Sequence, residues 1–243
     1  MCGIAGFCLA PGDKFDGKKL STCLLEQIVQ RGEHATGAAW VFNDKVAKKS
    51  AIAISKAPVP AYKFGTYLEK MPKETRRAIL HTRWATQGSP QNNLNNHPIL
   101  SGRIVGVHNG HLANDREIFK ALSCKRHGEV DSEAAFALLD NTKYQPADVL
   151  ESLRGRAALA WFDARDKRDL HLARVTDSPL AIGTTDAGSL IFASTMPLLV
   201  AACDDAGVEL AWAENIKPLT YMRVRNGEIL EVQKIGASLK AIA

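Results

Sequence analysis

The last third of the chain is a succession of short apolar runs cut by Asp-, Gly- and Lys-rich turns: Ala157 to Phe162, Leu170 to Arg174, Leu180 to Ile182 and Leu190 to Ala193. Runs of this length between turn residues predict strands, and here an antiparallel meander. Two alternating segments, Tyr221 to Arg225 and Glu228 to Val232, flank Asn226-Gly227 and predict a hairpin with a type I′ turn. Met196 to Ala206 predicts a helix between these strands.

The first half mixes both periods. Ile4, Ala5, Phe7 and Leu9 predict a strand closed by Pro11-Gly12-Asp13, and Gly37 to Phe42 predicts another, with a partner from about Val46 to Ile54. Leu20, Cys23, Leu24 and Ile28 recur at helical spacing over Lys18 to Gln30, with Gly32 placed to end that helix. Asn114 followed by Glu117 predicts a helix start of the capping-box kind. Further helices are expected over Ser132 to Leu139 and Pro146 to Leu153. Many antiparallel strands with helices before and between them give α+β, helices covering sheet faces.

The 243 residues, 46% hydrophobic and 23% charged, suffice for one domain with a substantial core and exclude disorder as the dominant state. A net charge of +5 spread over the chain needs no polyanionic partner. Lys14, Lys18 and Lys19, or Lys73, Arg76 and Arg77, have no aromatic platform beside them, so nucleic-acid binding is not expected. The longest apolar stretch, Leu190 to Cys203, is too short for a bilayer span and is broken by Ser194, Thr195 and Pro197. With no basic and apolar leader after Met1, a cytoplasmic location is expected. Five cysteines without a C-x-x-C pair fit neither a disulfide framework nor a zinc ribbon.

Four features carry chemistry. Cys2 follows the initiator Met, and trimming of Met1 would leave a thiol and a free α-amine on one residue. The ordinary pKa values of about 8.5 and about 7.7 to 8.0 let the amine take the thiol's proton near neutrality. The plain alternative is a small residue opening a buried strand. Asn109-Gly110 ends the apolar run Ile104 to Val107 without a returning strand, so it is either a turn or a pair of donors for an oxyanion. Arg83 and Trp84 follow the run Ala78 to Leu80. They can form a carboxylate fork with an aromatic wall, or a surface Arg beside a half-buried Trp. Asp131 precedes a predicted helix and reads as an N-cap or as an acceptor for a substrate ammonium. These segments are expected at strand ends. His108 and His111 have no carboxylate or thiol close in sequence to complete a metal site, so no metal is expected.

The ordered set Cys2-Gly3-Ile4, Arg31-Gly32, His81-Thr82-Arg83-Trp84-Ala85-Thr86, Asn96-His97-Pro98, His108-Asn109-Gly110-x-Leu112-x-Asn114 and Asp131-Ser132-Glu133 resembles the glutaminase domain of class II glutamine amidotransferases, within the N-terminal nucleophile hydrolases. The resemblance extends weakly to Gly155-Arg156-Ala157 through Arg174, Ser178-Pro179-Leu180 and Phe192-Ala193-Ser194, and so covers essentially the whole chain. It implies a four-layer αββα sandwich formed by residues 2–243 as one domain, Met1 removed, with no synthase or transferase domain. It implies Cys2 as nucleophile and Asn109 with Gly110 as oxyanion hole. Arg83 would take the α-carboxylate of glutamine and Asp131 its α-ammonium. Trp84 and Thr86 would be pocket positions, and Arg31-Gly32 a loop beside the nucleophile. No cofactor is implied, and the partner implied is a separate ammonia-accepting synthase subunit.

Two departures stand out. Family members often have His-Gly after the Thr matched by Thr86, where this chain has Gln87-Gly88. The Arg-Gly loop commonly continues to an Asp, where this chain has Glu33-His34. Both bear on the loop from Thr86 to Asn96. A hydrolase of another γ-glutamyl amide or peptide, and a non-catalytic binding module keeping the fold, are the alternative readings.

Overall fold

The computed structural model describes residues 1–44, 49–141 and 143–236. In chain order the strands are β1 (Gly3–Cys8), β2 (Ala35–Asp44), β3 (Lys49–Ala57), β4 (Arg77–Arg83), β5 (Ile99–Ser101), β6 (Ile104–Leu112), β7 (Gly155–Asp163), β8 (Asp166–Arg174), β9 (Ala181–Thr184), β10 (Leu190–Ala193), β11 (Trp212–Asn215), β12 (Thr220–Arg225) and β13 (Glu228–Lys234). The helices are α1 (Gly17–Ile28), α2 (Asp115–Leu122), α3 (Ser132–Asn141), α4 (Pro146–Leu150) and α5 (Met196–Ala206).

One sheet has the order β11-β9-β10-β1-β4-β2-β3 and the other β13-β12-β8-β7-β6-β5, all pairs antiparallel. The α+β class expected from the sequence holds. Alternation along each strand divides the apolar residues among three cores. On β1, Ala5 and Phe7 face α1 and α5, whereas Ile4 and Cys8 face the second sheet. On β6, Val105 and Val107 face the first sheet, whereas Ile104 packs with Phe136 and Leu139 of α3. Helices therefore cover both outer faces of two stacked sheets, the layering expected above. Each fully buried Phe or Leu in these cores is worth about 1.5 to 3 kcal/mol of transfer free energy.

Several expectations need correction. The C-terminal run is not one meander: β7 and β8 pair in the six-stranded sheet, while β9 and β10 pair in the seven-stranded sheet. A turn signal ends a strand without stating which sheet the next one joins. Asn114 does precede α2 but makes no side-chain cap. Its amide bridges Ser152 O at 2.9 Å and Arg154 N at 3.0 Å, tying α2 to the start of β7. Gly32 follows a 3-10 turn, Val29–Arg31, with φ −179°, so no left-handed cap is formed. A Cβ there would lie 2.4 Å from the backbone of Arg83 and of Trp84, and close approach explains the glycine. The start of the predicted partner strand at Val46 lies outside the described residues. The Asn226-Gly227 hairpin holds, with φ +53° and +86° at its two turn residues.

Candidate active site

Three strands bring the chemistry-bearing residues to one end of the space between the sheets. Just before β1, Cys2 continues the parity of Ile4. On β4, His81 and Arg83 continue that of Ile79, and on β6 Asn109 continues that of Val105 and Val107. Gly3 pairs with Thr82, which sets Cys2 beside Arg83. Asn109 and Gly110 thus lie near the end of β6, opposite Ala158 and Ala157, and His81 to Arg83 close β4 with Trp84 to Thr86 beyond it, so both segments stand at strand ends as expected.

A cleft there, of about 390 Å³, is lined by Met1, Cys2, Trp84, Thr86, Asn109, Gly110, His111, Arg156 and Ser178. The Cys2 thiol lies 3.7 Å from the Trp84 carbonyl. Burial pushes its pKa above the ordinary value, against which the Trp84 contact, the terminal ammonium and Arg83 act weakly. The thiol therefore needs a base. Arg31 Nε donates to Cys2 O at 2.9 Å, fixing the backbone of the nucleophile from the 3-10 turn after α1.

Asn109 is 2% exposed, and its Nδ2 is a buried donor without a partner in the folded chain. An unmet buried amide donor costs about 1 to 3 kcal/mol, so the arrangement is unfavourable unless something arrives to accept it. Gly110 has φ +153°, and a Cβ there would stand 1.8 Å from Arg156 O, so only glycine fits.

Arg83 is buried. Its Nη1 donates to Asn96 Oδ1 at 2.8 Å, and Nη2 donates to Gln87 O at 2.5 Å and Gly88 O at 2.8 Å. The guanidinium thus braces the segment after Thr86 as well as standing near Cys2. Asn95 Nδ2 adds a bond to Glu129 Oε2 at 2.7 Å and Asn96 Nδ2 one to Pro90 O at 2.6 Å, so the Gln87-Gly88 stretch is tied down from both sides. His34 stands in the other departure. Its ring stacks on Trp84 with centroids 4.6 Å apart, and its Nδ1 accepts from Ala85 N at 2.9 Å. Thr86 is exposed at the rim of the cleft.

Asp131 Oδ2 accepts from Leu112 N at 2.6 Å and lies 3.4 Å from His111 Nδ1. Its carboxylate thus reaches back to β6 from the start of α3. Behind Asn109, His108 Nδ1 meets Ser132 Oγ at 2.8 Å and His81 Nε2 meets His108 O at 3.1 Å, with His97 stacked on His81. Burial lowers all three imidazole pKa values, that of His81 to about 3. These rings are neutral supports of the strands. Among the described residues no group of three or more His, Cys, Asp or Glu converges on a metal position.

The sequence gives His34, Arg156 and Ser178 no role in the site, although each stands in a segment named above, and it offers His111 only as half of an incomplete metal pair. His111 faces Arg156 across the β6–β7 register, a pairing over 45 positions that no local pattern announces.

The family described as glutamine amidotransferase domain matches residues 81–201. The chain is 30% identical over 215 residues to a glutamine--fructose-6-phosphate aminotransferase (isomerizing) of Bacillus licheniformis, covering 82% of this chain and 33% of that protein. It is 32% identical over 257 residues to the enzyme of that name from Pyrococcus horikoshii, covering 96% and 40%. The chain spans about a third of the length of the curated relatives it matches. In fold it is similar to the glutamine phosphoribosylpyrophosphate amidotransferase of B. subtilis, with a TM-score of 0.77 at 17% identity, covering 98% of this chain and 50% of that one.

Proposed function

The chain belongs to the class II glutamine amidotransferase enzyme family, and on that premise we propose that it hydrolyses the side-chain amide of glutamine through a thioester on Cys2, releasing ammonia for an acceptor reaction on a separate synthase subunit. Removal of Met1 frees the Cys2 α-amine, which takes the thiol proton. The sulfur attacks the γ-carboxamide carbon, and the oxyanion accepts hydrogen bonds from Asn109 Nδ2 and Gly110 N–H. The proton then passes to the amide nitrogen, ammonia leaves, and water attacks the thioester to give glutamate and regenerate the thiol.

Asp131 accepts the α-ammonium. Arg83, whose Nη groups brace the loop, turns its remaining N–H donors to the α-carboxylate. Trp84 and Thr86 form the wall and rim, and Arg31-Gly32 hold the nucleophile's backbone. No step needs a cofactor. Among the described residues no helix is long and apolar enough to cross a membrane.

The observation that carries this proposal is the unpartnered Nδ2 of buried Asn109 in the cleft that holds the Cys2 thiol. The test is labelling with a glutamine-like electrophile, followed by intact-mass and peptide mapping. Modification at Cys2 of a chain lacking Met1 is expected. Active protein retaining Met1, or modification at Cys8, Cys23, Cys124 or Cys203 instead, refutes it.

A further inference from the structure

His111 stands two residues after Asn109, lines the cleft, and is well exposed to solvent, with 60% of its side chain accessible. Its Nδ1 lies 3.4 Å from the Asp131 oxygen that also accepts from Leu112 N. The carboxylate proposed to receive the substrate's ammonium therefore has a titratable cation source of its own at contact distance.

We propose that His111 competes with the substrate's α-ammonium for Asp131, so that the amino-acid end of the cleft is open while the imidazole is neutral and closed while it is charged. This rests on the glutaminase reading given above. A neutral ring adds no charge and leaves the carboxylate as the acceptor. An imidazolium cancels that charge, and an incoming ammonium must displace it.

Asp131, just before α3, is the carboxylate in contact with the ring. Arg156 is the cross-strand partner of His111 on β7 and the other charged side chain lining the cleft. His108, on the same strand, is neutral by burial and interacts with His111. Arg83 acts on Asp131 from β4. Trp84, Thr86 and Ser178 line the same cleft without charge. Because Asp131 is the group in contact, protonation draws His111 onto it, and substrate binding releases the proton.

Two measurements on the full chain test this. In steady-state hydrolysis of glutamine, KM of the unmutated protein rises about 3- to 10-fold between pH 8 and pH 6, the modest size set by solvent screening of an exposed partner. His111→Gln removes that dependence, and His111→Lys has a raised KM at every pH. In parallel, imidazole NMR titration of the Cys2→Ala protein, which cannot turn over, follows His111 directly, with the signal assigned by its loss in His111→Gln. Its titration moves to lower pH on adding Asp131→Asn, and also on saturation with glutamine.

An identical KM profile for the unmutated protein and His111→Gln overturns the competition. So does glutamine binding that leaves the His111 titration unmoved. Absence of any glutamine-induced shift, together with absence of hydrolysis, overturns the glutaminase reading and this proposal with it. In that case the Asp131→Asn titration still decides whether the two side chains pair.

Discussion

Arg83 Nη1 and Asn96 Oδ1 are joined at 2.8 Å, and both side chains are buried, so the residue proposed to hold the substrate carboxylate is first held by the segment that follows Thr86. The same guanidinium reaches Gln87 O and Gly88 O. A lysine preserves the charge but has no planar fork, so Arg83→Lys loses both the brace and the carboxylate contact. The expected loss in kcat/KM for glutamine is about 10- to 100-fold. Asn96→Ala, which removes only the brace, should raise KM by a smaller factor. Equal and near-normal kinetics for both variants would show that Arg83 only builds the loop.

Asn109 Nδ2 is buried without a partner in the folded chain, and the proposed function gives it the oxyanion of the reaction as acceptor. Removing one oxyanion donor typically costs about 10² to 10³ in turnover, so Asn109→Ala should lose kcat by roughly that factor with little change in KM. Because the amide is an unmet buried donor in the free protein, the same variant should be no less stable to urea than the unmutated chain. Retained turnover, or a large stability loss in place of a kinetic one, would make Asn109 a structural residue of β6.

What the sequence made legible follows from how local each signal is. The alternation in β1, the helix over Met196–Ala206 and the Asn226-Gly227 hairpin depend on neighbours a few residues apart, and they appear where the pattern puts them. The division of β7 to β10 between two sheets depends on which inner face each strand buries, and a turn residue says nothing about that. At the site, Cys2, Arg83 and Asn109 could be named because they stand in recognisable motifs. Their convergence is a consequence of parity on three strands. The contacts of His34 and His111 could not be read there, since each meets a partner from another segment, Trp84 for the first and Asp131 for the second.

The buried histidines make the fold sensitive to acid. Burial holds the His81 pKa at about 3 and that of His171 at about 4, and lowers those of His97 and His108, against about 6.5 in the unfolded chain. The unfolded state then binds more protons below pH 6.5, so their contribution is fully present above that value and is lost as pH falls toward the folded values. Each group costs up to about 1.4 kcal/mol per pH unit in that window. Urea midpoints should fall clearly from pH 7.5 to pH 5.5, and His171→Asn should flatten the dependence by about one proton. A midpoint that does not move over this range would contradict neutral burial of these rings.

The last prediction concerns His34, which holds the cleft wall by a ring stack on Trp84 and by one hydrogen bond from Ala85 N to its Nδ1. The two contacts separate by substitution. His34→Phe keeps an aromatic face against the indole but removes the acceptor, whereas His34→Ala removes both. A net hydrogen bond of about 0.5 to 1.5 kcal/mol corresponds to roughly 2- to 10-fold in affinity if the wall must be ordered for substrate to bind. His34→Phe should therefore raise KM for glutamine within that range while kcat changes less than KM. His34→Ala should exceed it, because Trp84 is 49% exposed and the His34 ring covers one of its faces. Since the Cys2 thiol meets the Trp84 carbonyl, which His34→Phe leaves in place, the nucleophile should label at a nearly normal rate in that variant. A KM unaltered in both variants would mean that the Trp84 wall orders without His34, and slowed labelling of Cys2 would move the role of His34 from substrate binding to the nucleophile.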